Sequence, residues 1–150
     1  LTMFSAILIG FIGGLLNILL FTLLKKLEKG TLYGLVLTGI GFLYVGFVWT
    51  DLQALIINSA QAIVFVFIAY YGIKKSTYIL AAGYFLHGTW DITYQLFQNP
   101  ALIPPHYEWF CMTIDFVIGI YILLFIKQFS PKQARTETRE NFIQPNKPLP

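Results

Sequence analysis

Four residues in the second half of the sequence carry the side chains that acid–base, nucleophilic or metal chemistry uses. His87 and Asp91 are four residues apart, so they share one face of a helix. Cys111 and Asp115 repeat that spacing in the next apolar segment. A buried histidine–aspartate pair can act as a general base, hold a metal ion or fix the packing of helices. We predict that these four residues form one catalytic site.

The two aspartates lie inside apolar runs, where an ionisable side chain is costly. An aspartate at the centre of a spanning helix costs about 2.5–3.5 kcal/mol on insertion scales. Such residues normally face the interior of the bundle and mark a functional site or a specific partner. The predicted helix ends place Asp91 and Asp115 at the same depth, whereas His87 and Cys111 lie about 12 Å apart in depth.

A divalent metal ion is one cofactor that this set of residues can hold, and the sequence leaves its presence open. Imidazole and carboxylate groups are common zinc ligands, so the expected ligands are His87, Asp91 and Asp115. The sequence has neither three clustered histidines nor a glutamate beside paired histidines. The cofactor is therefore unassigned.

Other polar and aromatic residues follow the faces of the same segments. They are predicted to bind the substrate: Asn58, Gln61, Tyr84, Trp90 and Tyr94. On the fifth segment, Glu108 shares the face of Cys111 and Asp115, but we expect it, with His106, to be exposed in a loop. Asp51 lies at a turn, where it is expected to cap the helix that follows.

The composition of the chain indicates the class of protein that holds these residues in place. Of its 150 residues, 57% are hydrophobic and only 11% are charged, with a mean hydropathy of +0.68. A soluble domain usually has about a quarter of its residues charged, so this chain cannot cover a soluble surface. With a single cysteine it can form no internal disulfide. We therefore predict an integral membrane protein.

Five apolar segments are long enough to cross a bilayer, which takes about 20 helical residues. The predicted spans are 3–24, 31–49, 52–73, 76–97 and 109–128. Alternation with a period of two, typical of membrane barrels, is absent. The sequence thus predicts an all-α, polytopic membrane protein, a single five-helix bundle over residues 1–129.

The basic residues predict the orientation of this bundle. Lysines and arginines follow the first, third and fifth segments, which places them all on one side of the membrane. The positive-inside rule makes that side cytoplasmic, with the N-terminus outside. Residues 130–150 are polar, basic and rich in proline, and are predicted to be a disordered cytoplasmic tail.

The fourth and fifth segments resemble an uncharacterised family of small bacterial integral-membrane proteins. Its pattern is H-x-x-W-D, then N-P, then C-x-x-x-D, which this chain matches from His87 to Asp91, at Asn99 and Pro100, and from Cys111 to Asp115. A second cysteine found in many members is replaced here by Ile114. The family implies no activity, but it groups these residues as one unit.

Three functions stay open on the sequence alone. The first is a membrane-embedded enzyme, or a binding site for a lipid or other apolar molecule, in the outer half of helices 3–5. The second is a proton-coupled carrier or proton pathway, and the third is a structural or accessory subunit. Expected partners are membrane lipids and further copies of the chain, without nucleic acid, since no basic surface is interleaved with aromatic residues. The expected location is the bacterial cytoplasmic membrane.

Overall fold

Five long helices make up nearly all of the described chain. The structure is a computed structural model that describes residues 2–24 and 27–129, and this part of the chain contains no strand. The helices are α1 (Met3–Leu23), α2 (Lys29–Phe47), α3 (Leu52–Lys74), α4 (Thr77–Thr93) and α5 (Tyr107–Leu124). Short 3₁₀ turns cover Tyr94–Leu96, Pro100–Leu102 and Ile126–Gln128. The all-α prediction is confirmed, and the predicted tail at 130–150 lies outside the described residues.

Three helices are capped at their N-termini. In each, a side chain accepts a hydrogen bond from a backbone amide that has no partner within the helix. The Thr2 hydroxyl accepts from the Ser5 amide, and the Ser5 hydroxyl accepts from the Thr2 amide in return, forming a capping box on α1. Asp51 accepts from the Ala54 amide at 2.9 Å, so its predicted role as the cap of α3 is confirmed. Ser76 caps α4 in the same way.

The connection between α4 and α5 is longer than the sequence suggests. The fourth helix was expected to reach residue 97, but α4 ends at Thr93 and the chain turns into 3₁₀ geometry. Helix α5 begins at Tyr107, two residues before the predicted start, directly after His106 in a left-handed conformation (φ 62°). The end of α4 and the start of α5 therefore both lie earlier in the sequence than predicted. This difference changes which residues of the two helices lie opposite each other.

Within the described ranges, four helices are long and apolar enough to cross a membrane: α1, α2, α3 and α5. Their length and composition indicate a helical membrane protein. Helix α4 is shorter, with 17 residues, and it carries His87 and Asp91. Its predicted crossing of the membrane therefore stays a prediction. Most of α1 is exposed apolar surface, such as Phe4 and Leu16, as expected of a helix that faces lipid.

The helices pack as neighbours in the order α2, α3, α4, α5, α1, and α2 also contacts α4. Glycines allow the closest approaches. A methyl group at Gly10 would lie 2.5 Å from the Phe110 carbonyl oxygen, and one at Gly14 would lie 2.9 Å from Val117. The Gly10–Gly14 pair thus joins α1 to α5 within one chain, because small residues let membrane helices approach each other.

The lysines of the described residues mark one end of the bundle. Lys29 begins α2 and its Nζ donates to Gln128, just beyond α5, at 2.7 Å. Lys74 and Lys75 lie at the turn between α3 and α4, which shares a cleft with Ile126. We call this the lysine end. Asp51 and the long connection from 94 to 106 lie at the opposite end.

Candidate functional site

His87 of α4 lies between two carboxylates in the middle of the bundle. Its Nδ1 is 2.8 Å from Oδ2 of Asp115 on α5 and 3.5 Å from Oδ2 of Asp91, one turn further along α4. All three side chains are completely buried. The predicted partner on the same helix, Asp91, is therefore the more distant of the two, and the contact across helices is the closer one.

Cys111 completes this group. One nitrogen, oxygen or sulfur atom from each of His87, Asp91, Cys111 and Asp115 can be chosen so that all four lie within 4.8 Å of one another. The cysteine is 3% exposed, so the whole group, here called the His87 cluster, is closed to the surroundings. The four residues predicted to form a site thus do lie together.

The expected distance between His87 and Cys111 was wrong. The predicted spans put Asp91 level with Asp115, which left His87 and Cys111 about 12 Å apart in depth. In the structure His87 meets Asp115 instead, so the two helices are shifted by about one turn. The shift follows from the early end of α4 and the early start of α5, and it brings Cys111 into the cluster.

Helix α2 contributes a site residue that sequence reasoning missed. The Tyr44 hydroxyl donates to Asp91 Oδ1 at 2.8 Å, and both side chains are fully buried. The His87 cluster therefore draws on α2, α4 and α5, whereas the sequence predicted a site on helices 3–5. The sequence does carry a signal for helix 2, since Tyr33, Leu37 and Tyr44 form one buried stripe at helical spacing.

Helix α3 contributes packing to the cluster rather than a polar group within hydrogen-bonding distance. The ring of Phe65 contacts the imidazole of His87 edge to face, with their centroids 4.8 Å apart. Tyr107 lies on the other side, where its hydroxyl is 3.8 Å from the sulfur of Cys111. These aromatic side chains hold the imidazole and the thiol in fixed orientations and keep the surroundings of the cluster apolar.

Several polar atoms of the cluster have no hydrogen-bond partner. They are Nε2 of His87, Oδ2 of Asp91 and Oδ1 of Asp115. Buried polar atoms in proteins are nearly always paired with protein, water or an ion, because leaving one unpaired costs about 1–3 kcal/mol. These three polar atoms are therefore free to bind a further group, and leaving them unpaired in the interior is energetically costly.

The five predicted substrate-binding residues occupy different positions around this cluster. Tyr94 is fully buried and stacks on Tyr44 with ring centroids 4.9 Å apart. Tyr84 donates to the Tyr33 carbonyl at 2.7 Å, toward the lysine end. Trp90 is half-buried against Phe97. Tyr94 thus contacts Tyr44, the tyrosine that donates to Asp91.

Asn58 and Gln61 lie on α3, nearer to the 94–106 connection. Asn58 is completely buried and donates to the side-chain oxygen of Gln98 at 2.8 Å. Gln98 in turn lines a cleft of about 180 Å³ with Asp51 and Asn99. Gln61 is buried and both of its amide atoms lack a partner. These residues form a polar layer between the cleft and the interior.

Glu108 does not lie exposed in a loop, as the sequence suggested. It is in the first turn of α5, is 6% exposed and accepts a hydrogen bond from Gln95. It does share its buried face with Cys111 and Asp115, as predicted. The carboxylate fixes the end of α4 to the start of α5 and stabilises the register that assembles the cluster.

A second polar group continues from the interior to the lysine end. The rings of Tyr33 and Tyr84 lie with centroids 6.4 Å apart, and those of Tyr33 and Tyr121 with centroids 6.0 Å apart. Lys29 donates to the Tyr121 hydroxyl at 3.2 Å. Tyr121, in the second half of α5, was not among the predicted site residues.

The described helices and this buried cluster define a small helical membrane protein. The chain belongs to a family of unknown function (DUF6010), whose model matches residues 4–128. The resemblance to an uncharacterised family is thereby confirmed. Comparisons with curated proteins and with solved structures found no match.

Proposed function

We propose that the protein is a membrane-embedded enzyme whose site is the His87 cluster and whose substrate is a lipid or another apolar molecule. One observation carries the proposal. A fully buried imidazole lies between two buried carboxylates, and each of these three side chains keeps a polar atom without a partner. A cluster that served only to join helices would gain most from pairing those atoms.

The arrangement suits proton transfer. His87 can exchange a proton with Asp115 at 2.8 Å or with Asp91 at 3.5 Å, and both distances are set by helices rather than by loops. Tyr44 donates to Asp91 and holds that carboxylate in place. Low-dielectric surroundings strengthen each of these interactions, so a proton can be held or delivered at a defined atom.

Access to the site requires movement of the connection between α4 and α5. Tyr94 and Ile103 of this connection are buried and pack with Tyr44 over the cluster. The same connection holds Gln98, which bonds Asn58 above the interior. In this proposal the connection covers the site, and its displacement admits a substrate from the surrounding lipid.

Ligand-induced stabilisation in detergent tests the proposal without a known reaction. The probes are phosphatidylglycerol, phosphatidylethanolamine and a free fatty acid, each titrated while the melting temperature is measured. A ligand at 100 times its dissociation constant stabilises the folded state by about 2.7 kcal/mol. We expect at least one probe to raise the melting temperature of the wild type, and this rise to disappear in Asp115→Asn.

The matched control is Glu28→Gln. Glu28 is an exposed carboxylate outside the cluster, and its change to an amide matches that of Asp115→Asn. This variant should keep the wild-type response. An equal response in Asp115→Asn, or none to any probe, contradicts the proposal and favours a structural role for the cluster.

A proton pathway is the second candidate, because the tyrosines extend the polar interior toward Lys29. Tyr84, Tyr33 and Tyr121 connect the region below His87 with the lysine end. Proteoliposomes that contain a pH-sensitive dye would report proton flux driven by a potassium gradient. Flux that falls to background in both His87→Ala and Tyr33→Phe would favour this candidate over the enzyme.

The orientation of the bundle is part of the proposal and is our first prediction. The lysine end faces the cytoplasm and the 94–106 connection faces outward, according to the positive-inside rule. In a Cys111→Ser background, Ala101→Cys should react with an impermeant thiol reagent in intact cells, whereas Lys75→Cys should react only after lysis. Labelling of Lys75→Cys in intact cells would reverse the assignment. The bacterial membrane and the association of several copies stay predictions.

A further inference from the structure

We propose that the His87 cluster binds a divalent transition-metal ion, with zinc as the best match. This inference rests on the proposed function in that it concerns the same site: with the ion bound, the four side chains act as its ligands, and the proton transfer described above belongs to the metal-free cluster. The inference adds Cys111 to the three ligands that the sequence suggested. The ligands are then one imidazole nitrogen, one sulfur and two carboxylate oxygens, from His87, Cys111, Asp91 and Asp115.

The distances fit a four-coordinate ion. Zinc binds nitrogen and oxygen at about 2.0–2.2 Å and sulfur at about 2.3 Å, so neighbouring ligand atoms in a tetrahedral site lie about 3.3–3.8 Å apart. The Nδ1 of His87 lies 2.8 Å from Asp115 Oδ2 and 3.5 Å from Asp91 Oδ2, and all four atoms lie within 4.8 Å of one another. Small rotations of the side chains reach the tetrahedral spacing.

An independent observation points to a bound ion. Oδ2 of Asp91 faces the imidazole and has no hydrogen-bond partner, although the residue is completely buried. Two ionised carboxylates beside a single imidazole would carry excess negative charge in an apolar interior, so this group must either hold a proton or bind a cation. A divalent cation would supply the missing partner and offset that charge at the same time.

The combination of ligand atoms selects the kind of metal. Calcium and magnesium prefer sites built from oxygen ligands alone. A sulfur ligand beside an imidazole favours zinc and its neighbours in the transition series. Cys111 is therefore the residue that separates this proposal from a simple acidic site.

The surroundings of the ligands also match those of metal centres. Carboxylates that bind metal are themselves hydrogen-bonded by neighbouring groups, and loss of such a partner lowers affinity by about 10–100-fold. The Tyr44 hydroxyl makes such a bond to Asp91 Oδ1, which leaves Oδ2 available to the ion. Phe65 fixes the plane of the imidazole, with its ring centroid 4.8 Å away.

The search for the metal uses the full chain, purified in detergent without a metal-affinity step. Elemental analysis of the wild type should find one equivalent of zinc or a neighbouring transition metal per chain. After removal by a chelator, titration with cobalt(II) should produce the intense visible bands of a four-coordinate ion. A near-ultraviolet charge-transfer band should accompany them, because Cys111 can bind the cobalt as a thiolate.

Matched variants assign the ligands. Cys111→Ser should lose the charge-transfer band, which has a unique source because the chain has a single cysteine. Tyr44→Phe should weaken cobalt binding by about 10–100-fold. The control Glu28→Gln, at an exposed carboxylate, should bind cobalt like the wild type. Because Cys111→Ser is a small change, this variant should still fold. It therefore tests the metal site even if the aspartate variants fail to fold.

Two results would overturn the metal proposal: a wild type without stoichiometric metal whose cobalt spectrum stays that of the hydrated ion, or an unchanged charge-transfer band in Cys111→Ser. Either result leaves the lipid-binding test unaffected. A cobalt spectrum as expected, without a response to any lipid, supports the metal centre and contradicts the lipid substrate.

Discussion

Two of the polar regions of the bundle, the lysine end and the His87 cluster, differ in how many of their polar atoms have a hydrogen-bond partner. At the lysine end, Lys29 donates to both Tyr121 and Gln128, and Tyr84 donates to the Tyr33 carbonyl. Among these groups only the Tyr33 hydroxyl lacks a partner. The His87 cluster leaves three of its atoms unpaired, on three ionisable side chains.

This difference is the reason for proposing a functional site at the cluster and not at the lysine end. Tyrosine rings contribute apolar area as well as a hydroxyl, so the lysine end gains stability from aromatic contacts whether or not each hydroxyl is bonded. Carboxylates contribute little apolar area, and burying them is costly unless a partner offsets the charge. The lysine end is therefore explained by the fold itself, whereas the unpaired atoms of the His87 cluster are what the proposed site rests on.

The largest expected effect is the removal of one charged partner from the cluster. Asp115→Ala leaves His87 without its nearest carboxylate, and breaking a buried pair from one side typically costs about 3–5 kcal/mol. Unfolding in a denaturing detergent would measure the loss. Glu28→Gln, at an exposed carboxylate, is the control and should change stability by less than about 0.5 kcal/mol. Equal effects would remove the distinction between cluster and surface.

A smaller effect is expected when the helices are pushed apart at the cluster. A methyl group at Gly88 would lie 2.7 Å from the ring of Phe116 and 3.4 Å from Cβ of Asp115. Gly88→Ala should therefore cost about 1–3 kcal/mol through overpacking and weaken cobalt binding as the ligands separate. Gly39→Ala has open space and should leave both properties unchanged. A stable Gly88→Ala protein with wild-type cobalt affinity would contradict the close α4–α5 contact.

The sequence was sufficient for the helices and for the faces that carry the site. Residues four apart share a face whatever the exact helix ends, so the pairs His87–Asp91 and Cys111–Asp115 were predictable from spacing alone. The cap at Asp51 was predictable for the same reason, because it depends on a local turn. Local periodicity therefore gave the correct components of the cluster.

The register between helices was not predictable, because it depends on the geometry of the 94–106 connection. The 3₁₀ turns and the left-handed His106 shift α5 by about one turn against α4, and periodicity carries no information about such a shift. Tyr44 was missed for a different reason. Exposed tyrosines such as Tyr70 and Tyr71 occur in the same kind of apolar segment, so residue type alone cannot separate a buried hydrogen-bond donor from one that faces lipid.

The coupling between the two aspartates tests whether the cluster acts as one unit. Asp91 and Asp115 both face the His87 Nδ1, so their effects on stability should not add. Residues that share a partner couple by about 0.5–3 kcal/mol in double-mutant cycles. The cycle uses Asp91→Asn and Asp115→Asn, measured with and without a chelator. A coupling that a chelator changes indicates a bridging metal, whereas simple additivity contradicts a composite site.

The smallest effect is expected at the lysine end, where packing rather than charge dominates. Tyr84→Phe removes the 2.7 Å hydrogen bond to the Tyr33 carbonyl but keeps the aromatic ring and its contacts. Hydrogen bonds between membrane helices average about 0.6 kcal/mol, so the variant should lose about that much stability. Cobalt binding and the response to lipid should stay at wild-type levels, because no ligand of the cluster is changed. A loss of several kcal/mol, or a loss of cobalt binding, would mean that the two regions form a single polar network and that the contrast between them is wrong.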